Sequence, residues 1–91
     1  MHAVVVRVSI SDVERAQQGL ESEVIPRVSS APGFKAGYWT RNSDGEINGL
    51  SMLVFDSEEN ARTAADRVQA MGTPEGVTLD DVQVREVVAS A

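Results

Sequence analysis

Along His2–Ile10, Val4, Val6, Val8 and Ile10 alternate with Ala3, Val5, Arg7 and Ser9, the two-residue period of a β-strand with one strongly apolar face. The period then changes. Val13, Ala16, Leu20, Val24 and Val28 recur every three or four residues, which predicts a helix capped at its start by Ser11 or Asp12. Pro26 is expected to kink or fray its last turn, and the stretch Ser29-Ser30-Ala31-Pro32-Gly33 to end it. A second strand starts at Phe34. A second helix is expected from Asp56 as cap to about Met71, with acids in its first turn and an inward stripe of Ala61, Ala64, Ala65, Val68 and Met71. After the loop Gly72–Gly76, Val82, Val84, Val87 and Val88 mark a last strand before the tail.

Between Phe34 and Phe55 two turn signals compete, Asp44-Gly45 and Asn48-Gly49. A turn at Asp44-Gly45 sets Phe34 opposite Phe55, Ala36 opposite Leu53, Gly37 opposite Met52, Tyr38 opposite Ser51 and Trp39 opposite Leu50, so apolar meets apolar. A turn at Asn48-Gly49 sets Trp39 opposite Glu58, which spoils both faces. The first register is therefore expected. Strand alternation then places Phe34, Ala36, Tyr38, Leu53 and Phe55 on one face, with Lys35, Gly37, Trp39, Arg41, Leu50, Met52 and Val54 on the other.

The order is βαββαβ. Two helices on one face of a four-stranded antiparallel sheet, with strands one and three central, is an α+β, ferredoxin-like arrangement forming one domain over residues 1–91. The more uniformly apolar hairpin face goes to the helices. The other still carries Trp39, Leu50, Met52 and Val54, joined by Val5 and Val87, too much contiguous apolar surface for a monomer to leave in water. A partner should cover it.

Composition narrows the partners. At 91 residues, 42% hydrophobic and 24% charged, the chain is an ordinary globular domain, and with four aromatic residues its core must be built largely from valine and alanine. Fourteen Asp+Glu against eight Lys+Arg give a net charge of −6, which opposes binding to nucleic acid or to an anionic membrane. The absence of cysteine excludes disulfides, thiolate metal sites and cysteine nucleophiles, and fits the cytoplasm. With neither a signal-peptide pattern at the N-terminus nor an 18-residue apolar run, a soluble, unprocessed chain is expected.

The segments Ala31-Pro32-Gly33-Phe34 and Gly37-Tyr38-Trp39, and Val54-Phe55-Asp56-Ser57-Glu58-Glu59 followed by an alanine-rich helix, resemble the antibiotic-biosynthesis-monooxygenase-like group of the dimeric α/β-barrel superfamily. The resemblance spans nearly the whole chain and implies a homodimer in which two sheets pack face to face, with any ligand pocket between each sheet and its own helices. The group includes cofactor-independent oxygenases of aromatic polyketides, haem-degrading enzymes and many proteins of no known activity. Fold alone does not carry function.

Oxygenases of this type place a tryptophan, an asparagine and sometimes a histidine in one pocket, where a bound phenol is oriented, deprotonated and brought to oxygen. Here the expected faces separate those residue types. Trp39 is assigned to the dimer interface with Leu50, Met52 and Val54, while His2 shares the helix side with Val4 and Val6. Asn48 belongs to the turn and Asn60 to the polar side of the second helix. The candidate pocket comprises His2, Leu20, Phe34, Tyr38 and Leu53, with no catalytic residue assigned. His2, the sole histidine, is the one candidate axial ligand for haem and sits where strand ends fray, so no cofactor and no metal are expected. Arg7, Lys35, Arg41 and Arg85 share the second face with Asp81 as its one carboxylate, which suits either an anionic metabolite or a rim of charges paired across a dimer. P-loops, dinucleotide-binding glycine patterns and Ser/His/Asp sets are absent. Two readings of function remain: a homodimeric protein that binds a small aromatic or apolar molecule or acts as an accessory, or a cofactor-independent monooxygenase of an aromatic or quinol-like substrate.

Overall fold

The computed structural model describes residues 1–42 and 47–91. Strands β1 (His2–Ile10), β2 (Phe34–Asn42), β3 (Asn48–Phe55) and β4 (Val77–Glu86) form one antiparallel sheet in the order β2-β3-β1-β4. Strands one and three are central, as expected, and the arrangement is compatible with the ferredoxin-like fold. The Asp44-Gly45 turn lies outside the described residues.

The first helix runs as one rod in three segments: α1 (Val13–Gly19), a π turn (Leu20–Val24) and α2 (Ile25–Ser29). Asp12 caps it, accepting a hydrogen bond from the Arg15 backbone N–H at 3.1 Å. Pro26 neither frays nor ends this helix. Within a regular α-helix its ring would clash with the carbonyl four residues back, at Ser22. The wider π turn, in which the Ile25 N–H bonds the Leu20 carbonyl, takes up that conflict, and the chain stays helical to Ser29.

Helix α3 (Glu58–Met71) is capped by Ser57 rather than Asp56. The Ser57 hydroxyl accepts from the Asn60 N–H at 3.1 Å, while the Asp56 carboxylate accepts from the Asn60 side-chain amide at 2.8 Å. Buried Ala61, Ala64 and Ala65 let α3 lie flat on the sheet, where Val4, Val6, Leu53 and Phe55 complete the core. Phe34 packs edge-on against Phe55, with ring centroids 5.9 Å apart. No described helix is long and apolar enough to cross a membrane.

Both edge strands depart from strict alternation. In β2 the pairing begins as expected, Phe34 with Phe55, but shifts by one residue before Ala36, which pairs with Val54. Lys35 is the extra residue of a β-bulge, a device common at sheet edges. Beyond it Gly37 pairs with Leu53, Tyr38 with Met52 and Trp39 with Ser51. Trp39 therefore faces the helices and packs against the core, and Tyr38 faces the open side, the reverse of the expected placement. In β4 the register shifts between Asp81, opposite Arg7, and Leu79, opposite Val8, leaving Asp80 unpaired. That bulge conceals an early start: Val77 and Leu79 lie on the same face as Val82 and Val84, and the strand ends at Glu86, before Val87 and Val88.

Candidate functional site

The two helices cover the sheet differently. Under α3 the alanines pack flush. Under the first helix the sheet stands off, leaving a half-enclosed cavity of about 490 Å³. Such a volume lies within the range of about 300–1,000 Å³ that holds drug-sized molecules.

The roof of the cavity is a strict four-residue repeat of Ala16, Leu20, Val24 and Val28. Residues four apart in an α-helix drift by about 40° around its axis at each step, because each residue turns about 100°. The wider π turn takes that drift back, so all four side chains reach one cavity. The floor is the helix-facing side of the sheet: Val6, Val8 and Ile10 of β1, Leu53 of β3, and Val77 and Leu79 of β4. Val68 and Met71 of α3 supply a side wall, and Pro74 lies against Gly19 of α1 so closely that a Cβ at Gly19 would strike the proline ring.

Trp39 reaches this space because Gly37 carries no side chain. A Cβ there would lie 2.8 Å from the Trp39 indole and 3.2 Å from the Phe34 ring. The bulge and the glycine together place the chain's one tryptophan in the cavity wall.

Of the five residues expected in a pocket, Leu20 and Leu53 line it, and three do not. His2 sits beside the start of α3, its Nε2 3.7 Å from Glu58 Oε2 and its Nδ1 buried without a hydrogen-bond partner. Phe34 is spent on Phe55. Tyr38 is on the opposite face and 65% exposed. Of the four residues expected at a dimer interface, Leu50, Met52 and Val54 share that open face, with Leu50 and Met52 47% and 46% exposed, whereas Trp39 belongs to the cavity.

The polar residues of the wall are few. The Thr40 hydroxyl donates to the Leu50 carbonyl and the Thr73 hydroxyl to the Val77 carbonyl, both at 2.6 Å, and the Gln17 amide donates to Glu21 at 3.0 Å. Ser51 and the exposed Arg41 complete the set. Among the described residues that line the cavity, none is Asp, Glu, His, Lys or Tyr. Arg41 is the other change the bulge makes. It pairs with Gly49 and leaves the open face expected for it, while Arg7, Arg85 and Asp81 remain there, with Gln83 bonded to both Asp81 and Arg85 at 2.9 Å.

A second cleft of about 230 Å³ opens between α2 and α3. It shares Val28, Leu53, Val68 and Met71 with the main cavity and is also lined by Arg27 and Arg67.

No family model, curated protein or solved structure matches the chain. The chemistry of the site rests on its own residues.

Proposed function

We propose that the chain is a homodimeric protein of the dimeric α/β-barrel type that binds a small aromatic or apolar molecule between its sheet and its first helix. The observation that carries this reading is the cavity of about 490 Å³, walled by valine, leucine, isoleucine and Trp39. A well-packed interior leaves few voids larger than a water molecule, so apolar space of this size is a feature with a use. A second copy of the chain suits the open face, where Tyr38, Leu50 and Met52 stand in solvent beside Val5 and Val54.

A thermal-shift screen of aromatic and isoprenoid metabolites tests the reading, with Trp39 emission as a local reporter. A ligand present at a hundred times its Kd should raise Tm by about 11–22 °C, since it stabilises the folded state by about 2.7 kcal/mol. If no compound moves either Tm or the emission of Trp39, the cavity is not a binding site.

The oxygenase reading draws support from Trp39, which the bulge moves into the cavity. It lacks a base. His2 and Tyr38 lie outside the cavity, and Asn60 is bonded to Asp56 at 2.8 Å. A general base must come within about 2.6–3.2 Å of the proton it takes, directly or through one water. Oxygen uptake with a dihydroxynaphthalene is therefore expected to stay at the rate of buffer alone. Uptake that scales with protein and is lost in Trp39→Phe would favour the oxygenase.

A further inference from the structure

Among the described residues, the charged ones that line the two clefts are all of one sign. Arg41 lines the main cavity, and Arg27 and Arg67 line the cleft that runs out from it between α2 and α3. Among the described residues no Asp or Glu lines either space, although the chain holds fourteen acids against eight basic residues. Arg15 pairs with Asp12 and Glu75, Arg62 pairs with Glu58, and Arg85 donates to Gln83, while Arg7 on the open face and Lys35 in the bulge have no ion pair among the described residues. Arg27, Arg41 and Arg67 have no ion pair among the described residues. In a chain of net charge −6, three unpaired cations gathered around apolar space mark that space as complementary to a negative group.

We propose that the occupant is an apolar acid, its hydrocarbon body in the main cavity and its carboxylate held between Arg27 and Arg67 at the exit between the helices. This inference rests on the reading of the cavity as a binding site. Geometry favours the pair over Arg41. Arg27 of α2 and Arg67 of α3 both line the smaller cleft, and the planar fork of arginine suits a carboxylate. The four residues shared by the two spaces, Val28, Leu53, Val68 and Met71, are all apolar and form the passage an alkyl or aryl body would occupy. Arg41 stands at a distance from this exit. It pairs with Gly49, four residues along β3 from Leu53, which is about 13 Å at the rise of a strand. There it adds positive potential without sharing the head-group contact. Ordinary metabolites with an apolar body and a carboxylate, fatty acids and aryl carboxylic acids among them, have this chemistry.

The test compares dodecanoate, dodecanol and dodecyltrimethylammonium below their micellar concentrations, by calorimetry and by Trp39 emission. Dodecanoate should bind at least tenfold tighter than dodecanol, and the cationic amphiphile most weakly. Arg27→Gln with Arg67→Gln should weaken dodecanoate about tenfold, as for two exposed ion pairs acting together, and leave dodecanol unchanged. Both arginines are exposed, so the double variant should melt like the wild type. Equal affinity for the acid and the alcohol would overturn the inference while leaving the binding reading intact. A selectivity lost in Arg41→Gln but kept in the double variant would overturn the placement of the carboxylate. If none of the three amphiphiles changes Trp39 emission or gives heat while an aromatic or isoprenoid metabolite raises Tm, the inference falls and the binding reading stands.

Discussion

Gly33 shows how tightly one residue can fix the relation between a loop and a helix. Its φ of +77° lies in the left-handed region, and a Cβ there would strike the Asp56 carboxylate and the Asn60 amide, which are bonded to each other at 2.8 Å. The Gly33 carbonyl meanwhile accepts from the Asp56 N–H at 2.9 Å. One residue thus ties the end of the first helical layer to the start of α3. Gly33→Ala should cost about 1–3 kcal/mol from backbone strain alone, with the broken Asp56–Asn60 bond adding to it. Urea unfolding at constant m-value measures the loss, and an unchanged midpoint would mean that the loop relaxes freely around the new methyl group. Trp39 makes a similar point about placement. On the open face, Trp39→Asp would separate subunits. In the cavity wall it sets an unpaired carboxylate against Val8 and Leu53, so lowered stability is the expected outcome.

At the scale of elements, most of the order was legible because periodicity reports it directly. The alternating valines of β1, the alanine stripe of α3 and the proline-glycine breaks lie where the two-residue and helical periods put them. What periodicity missed was the bulges, because one extra residue reverses every face beyond it. The clue was present in β2. Phe34 and Trp39 are five residues apart, an odd spacing that no regular strand can place on one face, yet both are large aromatics suited to a core, and Gly37 leaves the room that the indole needs. The same extra residue carried Arg41 to the cavity and Tyr38 away from it. A comparable clue in β4 is the odd spacing of Leu79 and Val82. The π turn was illegible for a different reason: a four-residue apolar repeat looks helical whether or not the helix widens. The bulge can be tested by removing its extra residue. With Lys35 deleted, Phe34–Phe55 and Ala36–Val54 become consecutive pairs in a regular ladder, so the protein should fold and Trp39 should stay shielded. Acrylamide quenching of Trp39 reports on this, and a tryptophan as accessible as the free amino acid in the deletion variant would show that the register past Lys35 is not bulged.

The whole molecule carries one helix-covered face and one bare one. Its accessible surface is 5855 Å², whereas a compact monomer of its mass is expected to expose about 5,200 Å². The open sheet face carries the exposed Tyr38, Leu50 and Met52. Its centre is Val5, Met52 and Val54, flanked by Leu50 and Tyr38, with Arg7, Arg85, Asp81 and Gln83 toward the β4 edge. An apolar centre with a charged margin is the pattern expected if a partner covers this face. If a second copy covers it, each chain should lose on the order of 800 Å². Half of that area, if apolar, supplies roughly 10 kcal/mol of gross driving force at about 25 cal/mol per Å², before association entropy and desolvation are subtracted. Repulsion between two subunits of net charge −6 opposes this, but exposed charges are screened beyond about 10 Å at 0.1 M salt. Dimers at micromolar concentration are therefore expected, tightening as salt is raised. Met52→Asp puts a carboxylate at the centre of the face, where pairing would bury it, and should give monomers. Because Met52 is 46% exposed in the single chain, the variant should stay folded, with loss of stability confined to what dimerisation had added. Sedimentation equilibrium of both proteins decides the matter. A wild type that sediments as a monomer, or a Met52→Asp variant that remains dimeric, would show that subunits do not meet through this face.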